Sequence, residues 1–185
     1  MAQALQVLGS QLALTAAKTR YTVCANTSPT APTTEVDQQI TYRSAGVLSN
    51  LFANVVFNTL NSGALTIRTR KNGANGAQVI SFVAGVSGTA EDTSNTDSVV
   101  AGDEINYSAV TGGTTGSVSL AIITTLFAAT VSTTIHHAAT RREAPSGTVY
   151  FSLACGMSAT EARKQYKVGV AGTLKNLFIY SDFNE

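Results

Sequence analysis

The sequence predicts an all-β fold, built as an antiparallel two-sheet sandwich or jelly roll, and three observations lead to it. Apolar residues alternate with polar ones along much of the chain, whereas the spacing of an amphipathic helix does not persist. Turn-forming residues separate the apolar stretches at short intervals, and about eight short strands punctuated in this way are typical of a sandwich. Only 12 % of the 185 residues are charged, while 44 % are hydrophobic, which is ample for a buried core.

The clearest predicted element is a hairpin in the middle of the chain. Residues 64–70 alternate strictly, and Asn72-Gly73 follows, a dipeptide that strongly favours a two-residue turn between strands. Residues 79–83 then form the expected return strand. The side chains expected on one face of the first strand are those of Leu65, Ile67 and Thr69, with Thr66, Arg68 and Arg70 on the other.

Other strands are expected at residues 21–25, 39–44, 47–57, 105–110 and 118–128. Residues 47–57 are so uniformly apolar that we expect a strand buried on both faces or lying at an interface. In the last strand, Val118, Leu120 and Ile122 are expected to share one face. Residues 85–97 are rich in Gly, Ser, Thr and Asp and are predicted to form a loop. Turns are predicted at residues 101–103 and 111–116.

An internal repeat connects the middle of the chain with its last residues. With a shift of 126 positions, "AGVLSNLFANVVFN" at residues 45–58 matches "AGTLKNLFIYSDFN" at residues 171–184, and ten identities fall within 24 residues. Such self-similarity in fixed register indicates a duplicated module. The predicted organisation is an N-terminal arm or first strand over 1–18, a jelly-roll domain over 19–129, a linker over 130–145, and the start of a second, truncated jelly-roll repeat over 146–185.

Two apolar segments are expected to contact other subunits. The N-terminal arm could add a strand to a neighbouring sheet. The second repeat spans about 40 residues, which seldom fold alone, so it needs a covering: further sequence, the first domain, or a neighbouring subunit. The candidate assembly residues are Leu5, Val7, Leu8, Leu12 and Leu14 in the arm and Phe178, Tyr180 and Phe183 in the second repeat.

The sequence contains no pattern that predicts catalysis, a cofactor or a metal site, so we expect a protein that is not an enzyme. His136 and His137 are adjacent, would point to opposite faces of a strand, and lack further ligands at a zinc-site spacing. Cys24 and Cys155 are interpreted as two free thiols with small apolar character, although a disulfide between them stays open.

Two groups of charged residues are interpreted as structural. The acidic group could suggest calcium, but turn or solvent-exposed roles are favoured; its members are Glu91, Asp92, Asp97, Asp103 and Glu104. In particular, Asp103 is expected to bond the backbone of its own turn. The basic group is expected to be solvated or to form salt bridges across a subunit boundary; its members are Arg68, Arg70 and Lys71.

Net charge and hydropathy argue against nucleic acid and membranes as partners. The formal net charge is +1, which creates no field that would attract a polyanion or an anionic bilayer. No apolar run approaches the 18 or so residues of a transmembrane helix. The first twenty residues lack the early positive charge of a signal peptide, which disfavours a secreted protein.

Three motifs follow one another in the first module: "AGVLSNL", "TRKNG" and "DSVVAGDEI". Their order and spacing resemble a jelly-roll module of tailed-bacteriophage virion proteins, similar in outline to the trimeric heads of tumour necrosis factor and complement C1q. The resemblance covers residues 40–127 and implies a two-sheet sandwich located in a virion. It further implies a structural function in capsid decoration, cementing or a head fibre, with a homotrimer and the major capsid protein or other virion proteins as partners. The alternatives are a tail fibre or receptor- or glycan-binding head, and a secreted C1q-like protein.

Overall fold

The computed structural model describes residues 3–8, 12–23, 33–130, 150–151 and 157–158, and this part of the chain is built from β-strands and one short 3-10 helix. The 3-10 helix spans Val36–Gln38. The strands are β1 Gln3–Leu8, β2 Leu12–Thr15, β3 Lys18–Thr22, β4 Ile40–Thr41, β5 Gly46–Asn58, β6 Ala64–Lys71, β7 Ala74–Val83, β8 Gly88–Val99, β9 Glu104–Thr111, β10 Ser117–Ala129, β11 Tyr150–Phe151 and β12 Met157–Ser158. The predicted all-β class is therefore confirmed.

The strands from β1 to β10 form two antiparallel sheets. In the first, here called sheet A, β1 and β2 both pair with β10, which is followed by β5 and β8. In the second, sheet B, β3 and β4 both pair with β9, which is followed by β6 and β7. Strands β11 and β12 pair with each other. The antiparallel two-sheet sandwich is confirmed.

The core lies between the two sheets and receives apolar side chains from both. Leu51 and Leu120 of sheet A and Leu65 and Ile67 of sheet B are 0 % exposed within one cluster. A smaller cluster contains Tyr42 and Phe127, whose rings meet edge to face with their centroids 5.0 Å apart. Edge-to-face contact is a favoured geometry for aromatic rings, so this pair helps to fix the end of the sandwich.

Gly46, at the start of β5, lies directly beneath the ring of Phe127. A Cβ atom at residue 46 would be 2.5 Å from that ring and 2.6 Å from the carbonyl oxygen of Ala128. Such separations are far below ordinary van der Waals contact, so the position requires glycine. The repeat carries Gly172 at the matching position.

The predicted hairpin is confirmed by β6 and β7, which pair from Ala64↔Val83 to Lys71↔Ala74. Asn72 and Gly73 form its turn with φ angles of 52° and 76°, the left-handed region that an Asn-Gly turn requires. The three side chains expected on one face are all buried: Leu65, Ile67 and Thr69 are 0 %, 0 % and 1 % exposed.

The loop predicted over residues 85–97 is wrong, because most of it belongs to β8. This strand lies at the edge of sheet A and pairs only with β5 within that sheet. Its outward side chains are polar because they face solvent, while Asp92 and Asp97 point inward and are buried. Polar composition therefore reflected an edge position and two buried carboxylates, and not an absence of strand pairing.

The expected inner face of β10 is wrong at Ile122. The register against β5 shifts between Leu120 and Ile122, which marks a β-bulge. A bulge adds one residue to a strand and reverses the alternation beyond it. Ile123 is therefore the core residue, at 1 % exposure, whereas Ile122 is half-buried on the outer face.

Two other strands differ from expectation in detail. β3 begins at Lys18, three residues before the predicted start at residue 21. β5 spans the predicted strand of residues 47–57, but only its inner face is fully buried within this chain. Its outer side chains stay partly exposed, so burial on both faces is not found within the described chain.

The sandwich has two different poles. At the entry pole, the first residue of β1 pairs near the end of β10, Gln3↔Ala128, and the backbone N–H of Thr130 donates to the carbonyl of Ala45 over 2.9 Å. At the loop pole, the opposite end, lie the connections 59–63, 84–87 and 112–116. The chain therefore enters and leaves the sandwich at the same pole.

Candidate functional site

A buried polar seam, formed by Thr69, Gln78, Asp92 and Asp97, joins the edge strand β7 of sheet B to the edge strand β8 of sheet A. The carboxylate of Asp97 accepts hydrogen bonds from the Thr69 hydroxyl over 2.5 Å and from the backbone N–H of Ala77 over 2.6 Å. The side-chain amide of Gln78 donates to the same carboxylate over 3.2 Å. One carboxylate thus connects both sheets.

A bulge in β7 explains why the seam needs a carboxylate. The register against β6 moves from Arg68↔Val79 to Arg70↔Asn75, which leaves residues 76–78 opposite Thr69 alone. A bulge disrupts the ladder of hydrogen bonds, and the backbone N–H groups of Ala77 and Gln78 are directed at the Asp97 carboxylate instead. Asp97 supplies the acceptor for Ala77, as described above.

Gln78 links β7 of sheet B to β5, a central strand of sheet A. It is 0 % exposed, and its side-chain oxygen accepts the backbone N–H of Leu51 over 3.0 Å. Leu51 needs this acceptor because β5 is irregular here: Asn50 has a φ of 53°, and the register against β8 shifts between Ser49 and Leu51. One glutamine from the irregular part of β7 therefore accepts the backbone N–H that the irregular part of β5 leaves without a strand partner.

Asp92 holds a second part of the seam. It accepts the backbone N–H of Val79 over 2.9 Å and those of Ser94 and Asn95 over 3.1 and 3.0 Å. Burial raises the pKa of Asp92, but these hydrogen bonds outweigh it and lower the pKa to about 2. Burial also raises the pKa of Asp97, but hydrogen bonds from Thr69, Ala77 and Gln78 outweigh this effect, so that the pKa of Asp97 is lowered as well.

Both seam carboxylates are therefore ionised at neutral pH and face N–H and O–H donors of their own chain. Donors of this kind occupy the oxygen lone pairs that a calcium ion would need. Across residues 12–23 and 33–130, no group of three or more His, Cys, Asp or Glu side chains is arranged to hold a metal ion. The chemistry of the seam is that of a structural anchor.

Asp103 joins two turns at the entry pole. Its carboxylate accepts the backbone N–H of Val100 over 2.9 Å, which closes its own turn as predicted, and the side-chain amide of Asn72 over 2.8 Å. Asn72 in return accepts the backbone N–H of Glu104 over 2.7 Å. The Val100 hydrogen bond, followed by that from Asn72, lowers the pKa of Asp103. The Asn-Gly turn and the Ala-Gly-Asp turn are thereby held together.

Arg70 forms an ion pair within its own chain. Its guanidinium donates to both carboxylate oxygens of Glu35, each over 2.8 Å, and its Cζ lies 5.8 Å from the centre of the Tyr21 ring. The hydrogen bond from Arg70 lowers the pKa of Glu35. The expectation that the basic group makes salt bridges across a subunit boundary is therefore wrong for Arg70, which pins the segment before β4 onto sheet B.

The outer side of sheet A carries a contrasting surface, the outer apolar face. Strand pairing places Phe52 beside Thr124 and Val47 beside Ala128, on the side opposite the buried Leu48 and Leu51. Phe57 is 44 % exposed on this side. The members of the outer apolar face are Val47, Phe52, Phe57, Ile122 and Leu126. Exposed polar residues of β8, including Glu91, Thr96 and Ser98, border it.

The predicted assembly residues are distributed over several environments. Leu14 is 2 % exposed and packs in the main core cluster, so it stabilises the sandwich itself. The backbone of Leu5, Val7 and Leu8 lies in β1, and that of Leu12 lies in β2, all paired with β10. The remaining candidates, Phe178, Tyr180 and Phe183, lie outside the described residues. That these residues contact other subunits stays a prediction.

Several other predicted features lie outside the described residues. They are Cys24, Cys155, His136, His137, the linker after residue 130, and the second repeat apart from β11 and β12. Sequence reasoning missed the polar seam because residues 85–97 were interpreted as a loop. A usable signal was the two-residue spacing of Ala90 with Asp92 and of Asp97 with Val99, which is the spacing of one strand face.

Comparison with known proteins adds no family. No protein-family model matches the chain, and a search of curated proteins finds no match. The part of the chain that the structure describes contains no helix long and apolar enough to cross a membrane. Function must therefore be inferred from the strand arrangement and the contacts described above.

Proposed function

We propose that the protein is a non-enzymatic structural component of a bacteriophage particle: a capsid decoration or cement protein, or a head-fibre protein. The strand order supports a jelly roll, with the sheets β1/β2-β10-β5-β8 and β3/β4-β9-β6-β7. The chain crosses to the other sheet after β2, β4, β5, β7, β8 and β9, and it stays within one sheet from β1 to β2, from β3 to β4 and in the β6–β7 hairpin. A jelly roll is common among virion proteins, but a fold alone does not define a function.

One observation carries the proposal: the three motifs that resemble virion modules are tied together by described contacts. The motif "TRKNG" meets the end of "DSVVAGDEI" through the hydrogen bonds between Asn72 and Asp103. Thr69, the first residue of "TRKNG", donates a hydrogen bond to Asp97, the first residue of "DSVVAGDEI". The motif "AGVLSNL" provides Leu51, whose N–H is bound by Gln78. The resemblance therefore involves residues that close the sandwich, which supports a shared architecture.

The distribution of polar groups supports a function in packing. Glu35, Arg70, Asp92, Asp97 and Asp103 are all engaged within the chain. These five charged groups are thereby committed to structure, whereas an apolar surface on sheet A is left outside the core. The proposed partners are further copies of the chain, as a homotrimer, and the major capsid protein or other virion proteins.

Quantitative mass spectrometry of gradient-purified particles encoded by the same genome tests this proposal. We expect peptides of this protein in intact particles, and a copy number near that of the major capsid protein would favour decoration over a fibre. Full absence from particles that contain the other virion proteins would overturn the proposal.

The alternative is a receptor- or glycan-binding head on a tail fibre, with the loop pole as its tip. The loop pole lies opposite the pole where the chain enters and leaves, and it exposes Val83 and Val86 at 61 % and 47 %. The connection over residues 112–116, between β9 and β10, is the polar loop that this pole could present to a receptor. A glycan array and a binding assay on host cells test this alternative, and specific binding that the isolated sandwich retains would favour it.

A further inference from the structure

We propose that Asn75 is a site of spontaneous covalent modification, at which the folded chain converts its own asparagine into aspartate and isoaspartate. The inference goes beyond the proposed function, because it concerns a reaction of the chain with water and not its assembly. Glycine follows asparagine at two places in the sequence, Asn72-Gly73 and Asn75-Gly76. Both pairs lie in the β6–β7 hairpin, and the structure gives their side-chain amides opposite surroundings.

The reaction at an Asn-Gly pair proceeds through a cyclic imide. The backbone nitrogen of Gly76 attacks the amide carbon, Cγ, of Asn75, and a new C–N bond forms. The bond from Cγ to Nδ2 then breaks, and Nδ2 leaves as ammonia together with the proton that Gly76 has lost. Water finally opens the ring at either of its carbonyl groups, which produces aspartate or isoaspartate. Glycine favours this reaction because it has no side chain to shield its backbone nitrogen.

The polar seam explains why glycine has to follow Asn75. A Cβ atom at residue 76 would lie 2.7 Å from Oδ2 of Asp97 and would also clash with the hydroxyl of Thr69. Such separations are too short for a side chain, so only glycine fits beside the seam. The packing of the two sheets therefore keeps an unshielded backbone nitrogen next to the amide of Asn75.

The guanidinium of Arg70 polarises the amide that reacts. Its Nη1 donates to Oδ1 of Asn75 over 2.5 Å, and the same guanidinium is held in place by its ion pair with Glu35. When the nitrogen of Gly76 attacks, negative charge develops on this oxygen, and a positioned cationic donor stabilises such an oxyanion. Asn75 is exposed in the edge strand β7, so water can reach the imide that forms.

The amide of Asn72 is instead held by the neighbouring turn. Its Nδ2 donates to the carboxylate of Asp103 over 2.8 Å, and its Oδ1 accepts the backbone N–H of Glu104 over 2.7 Å. Both hydrogen bonds must break before the nitrogen of Gly73 can reach the amide carbon. Because two ordinary hydrogen bonds together correspond to about a factor of ten or more in rate, we expect Asn72 to react at least about tenfold more slowly than Asn75.

Peptide mapping by mass spectrometry of the folded full chain, incubated in mildly alkaline water enriched in oxygen-18, tests the inference. We expect the label to accumulate at position 75, as aspartate and isoaspartate, and to lag at position 72 by about tenfold or more. The first event lowers the formal net charge from +1 to zero, so isoelectric focusing should reveal an acidic species. The same chain in concentrated urea is the control, because without the fold both pairs should react at similar rates.

Two substitutions separate the contributions of the neighbours. Arg70→Lys keeps the charge but loses the planar fork that reaches Glu35 and Asn75 together, and it should slow the reaction at position 75 by at least about tenfold. Asp103→Ala releases one side of the Asn72 amide and should accelerate the reaction at position 72. Circular dichroism reports whether each variant is folded.

The folded wild type decides the inference even where a variant does not fold. Equal rates at the two positions, or a position 75 that stays unlabelled in the folded chain while it reacts in urea, would overturn the proposal. An unchanged rate at position 75 in a folded Arg70→Lys variant would equally overturn it, because the guanidinium would then not take part.

Discussion

Asp97 shows how one side chain connects two sheets. Asp97 is 9 % exposed, and its carboxylate accepts hydrogen bonds from donors on β6 and β7 although the residue belongs to β8. Hydrogen bonds to a charged acceptor contribute more to stability than neutral ones, and a buried donor left without an acceptor is costly. A substitution of even a single atom in the seam should therefore lower the free energy of unfolding more than one at an exposed position.

We predict that Asp97→Asn lowers the free energy of unfolding by about 2–3 kcal/mol, because the amide can no longer accept from both Thr69 and Ala77. Urea unfolding followed by circular dichroism measures this. Glu91→Gln removes the same charge from an exposed position on the same strand and should change the stability by less than about 0.5 kcal/mol. Equal stability losses in the two variants would contradict the role given to Asp97.

Acid should weaken the sandwich through these same carboxylates. The pKa values of Glu35, Asp92, Asp97 and Asp103 are all lowered in the folded protein. A group with a lowered folded pKa contributes stability above its unfolded pKa, and this contribution is lost as the pH falls through the folded value. For Asp92 the loss should extend from about pH 4, the ordinary range of an aspartate, down to about pH 2.

Urea midpoints recorded between pH 7 and pH 2 measure this dependence. We expect a nearly constant midpoint down to about pH 5, followed by a steady fall. Asp92→Asn should be less stable at pH 7 and should show a smaller fall below pH 4, because it has lost the titrating group. A variant whose pH profile runs parallel to that of the wild type would exclude Asp92 as a source of the acid sensitivity.

Strands β5, β7 and β10 show how irregularities decide which side chains reach the core. In β10 a single bulge transfers the inner position from Ile122 to Ile123. In β5 and β7 the irregularities expose backbone N–H groups that Gln78 and Asp97 then bind. Each bulge therefore determines both the facing of nearby side chains and the polar residues needed beside it.

The bulge in β10 predicts a large difference between two adjacent isoleucines. Ile123→Ala should lower the free energy of unfolding by about 2–5 kcal/mol because it leaves a cavity in the core. Ile122→Ala, on the outer face, should cost far less in the monomer. Urea unfolding at low protein concentration separates these effects from association. A larger loss in Ile122→Ala would show that the bulge is misplaced.

In the part of the chain that the structure describes, strands β1 to β10 form the sandwich and supply its core clusters. The N-terminal strands belong to it, since β1 and β2 pair with β10 and Leu14 lies in the core. Deletion of residues 1–18 should therefore weaken the fold as well as assembly. Thr130, with which this described segment ends, lies at the entry pole.

We predict that a chain ending at Thr130 folds on its own. Because the described core clusters contain only residues before 130, its urea midpoint should match that of the first transition of the full chain. Circular dichroism and size-exclusion chromatography provide the measurement. Failure of this shorter chain to unfold cooperatively would mean that the second repeat completes the first module.

Local pattern was sufficient for the fold class and for the hairpin of β6 and β7. Alternation follows from the two-residue period of a strand, and an Asn-Gly turn needs only local backbone geometry. Both features can therefore be recognised from residues that are neighbours in the sequence. The roles of Asn72 and Asp103 in turns were predictable for the same reason. Comparison of the two repeats shows that Gly46 and Leu51 have identical counterparts. The structural reasons, the close approach of Phe127 to Gly46 and the full burial of Leu51, are not visible in the sequence.

The polar seam and the outer apolar face depended on tertiary structure. Asp97 lies 28 positions from Thr69, and no local pattern reveals that a carboxylate on one sheet will meet a bulge on the other. The side to which Ile122 points was decided by a bulge that pairing with β5 produces, and strand periodicity contains no sign of it. Composition and alternation thus determined that two sheets form, whereas long-range pairing decided which residues close them and which face lies outside the core.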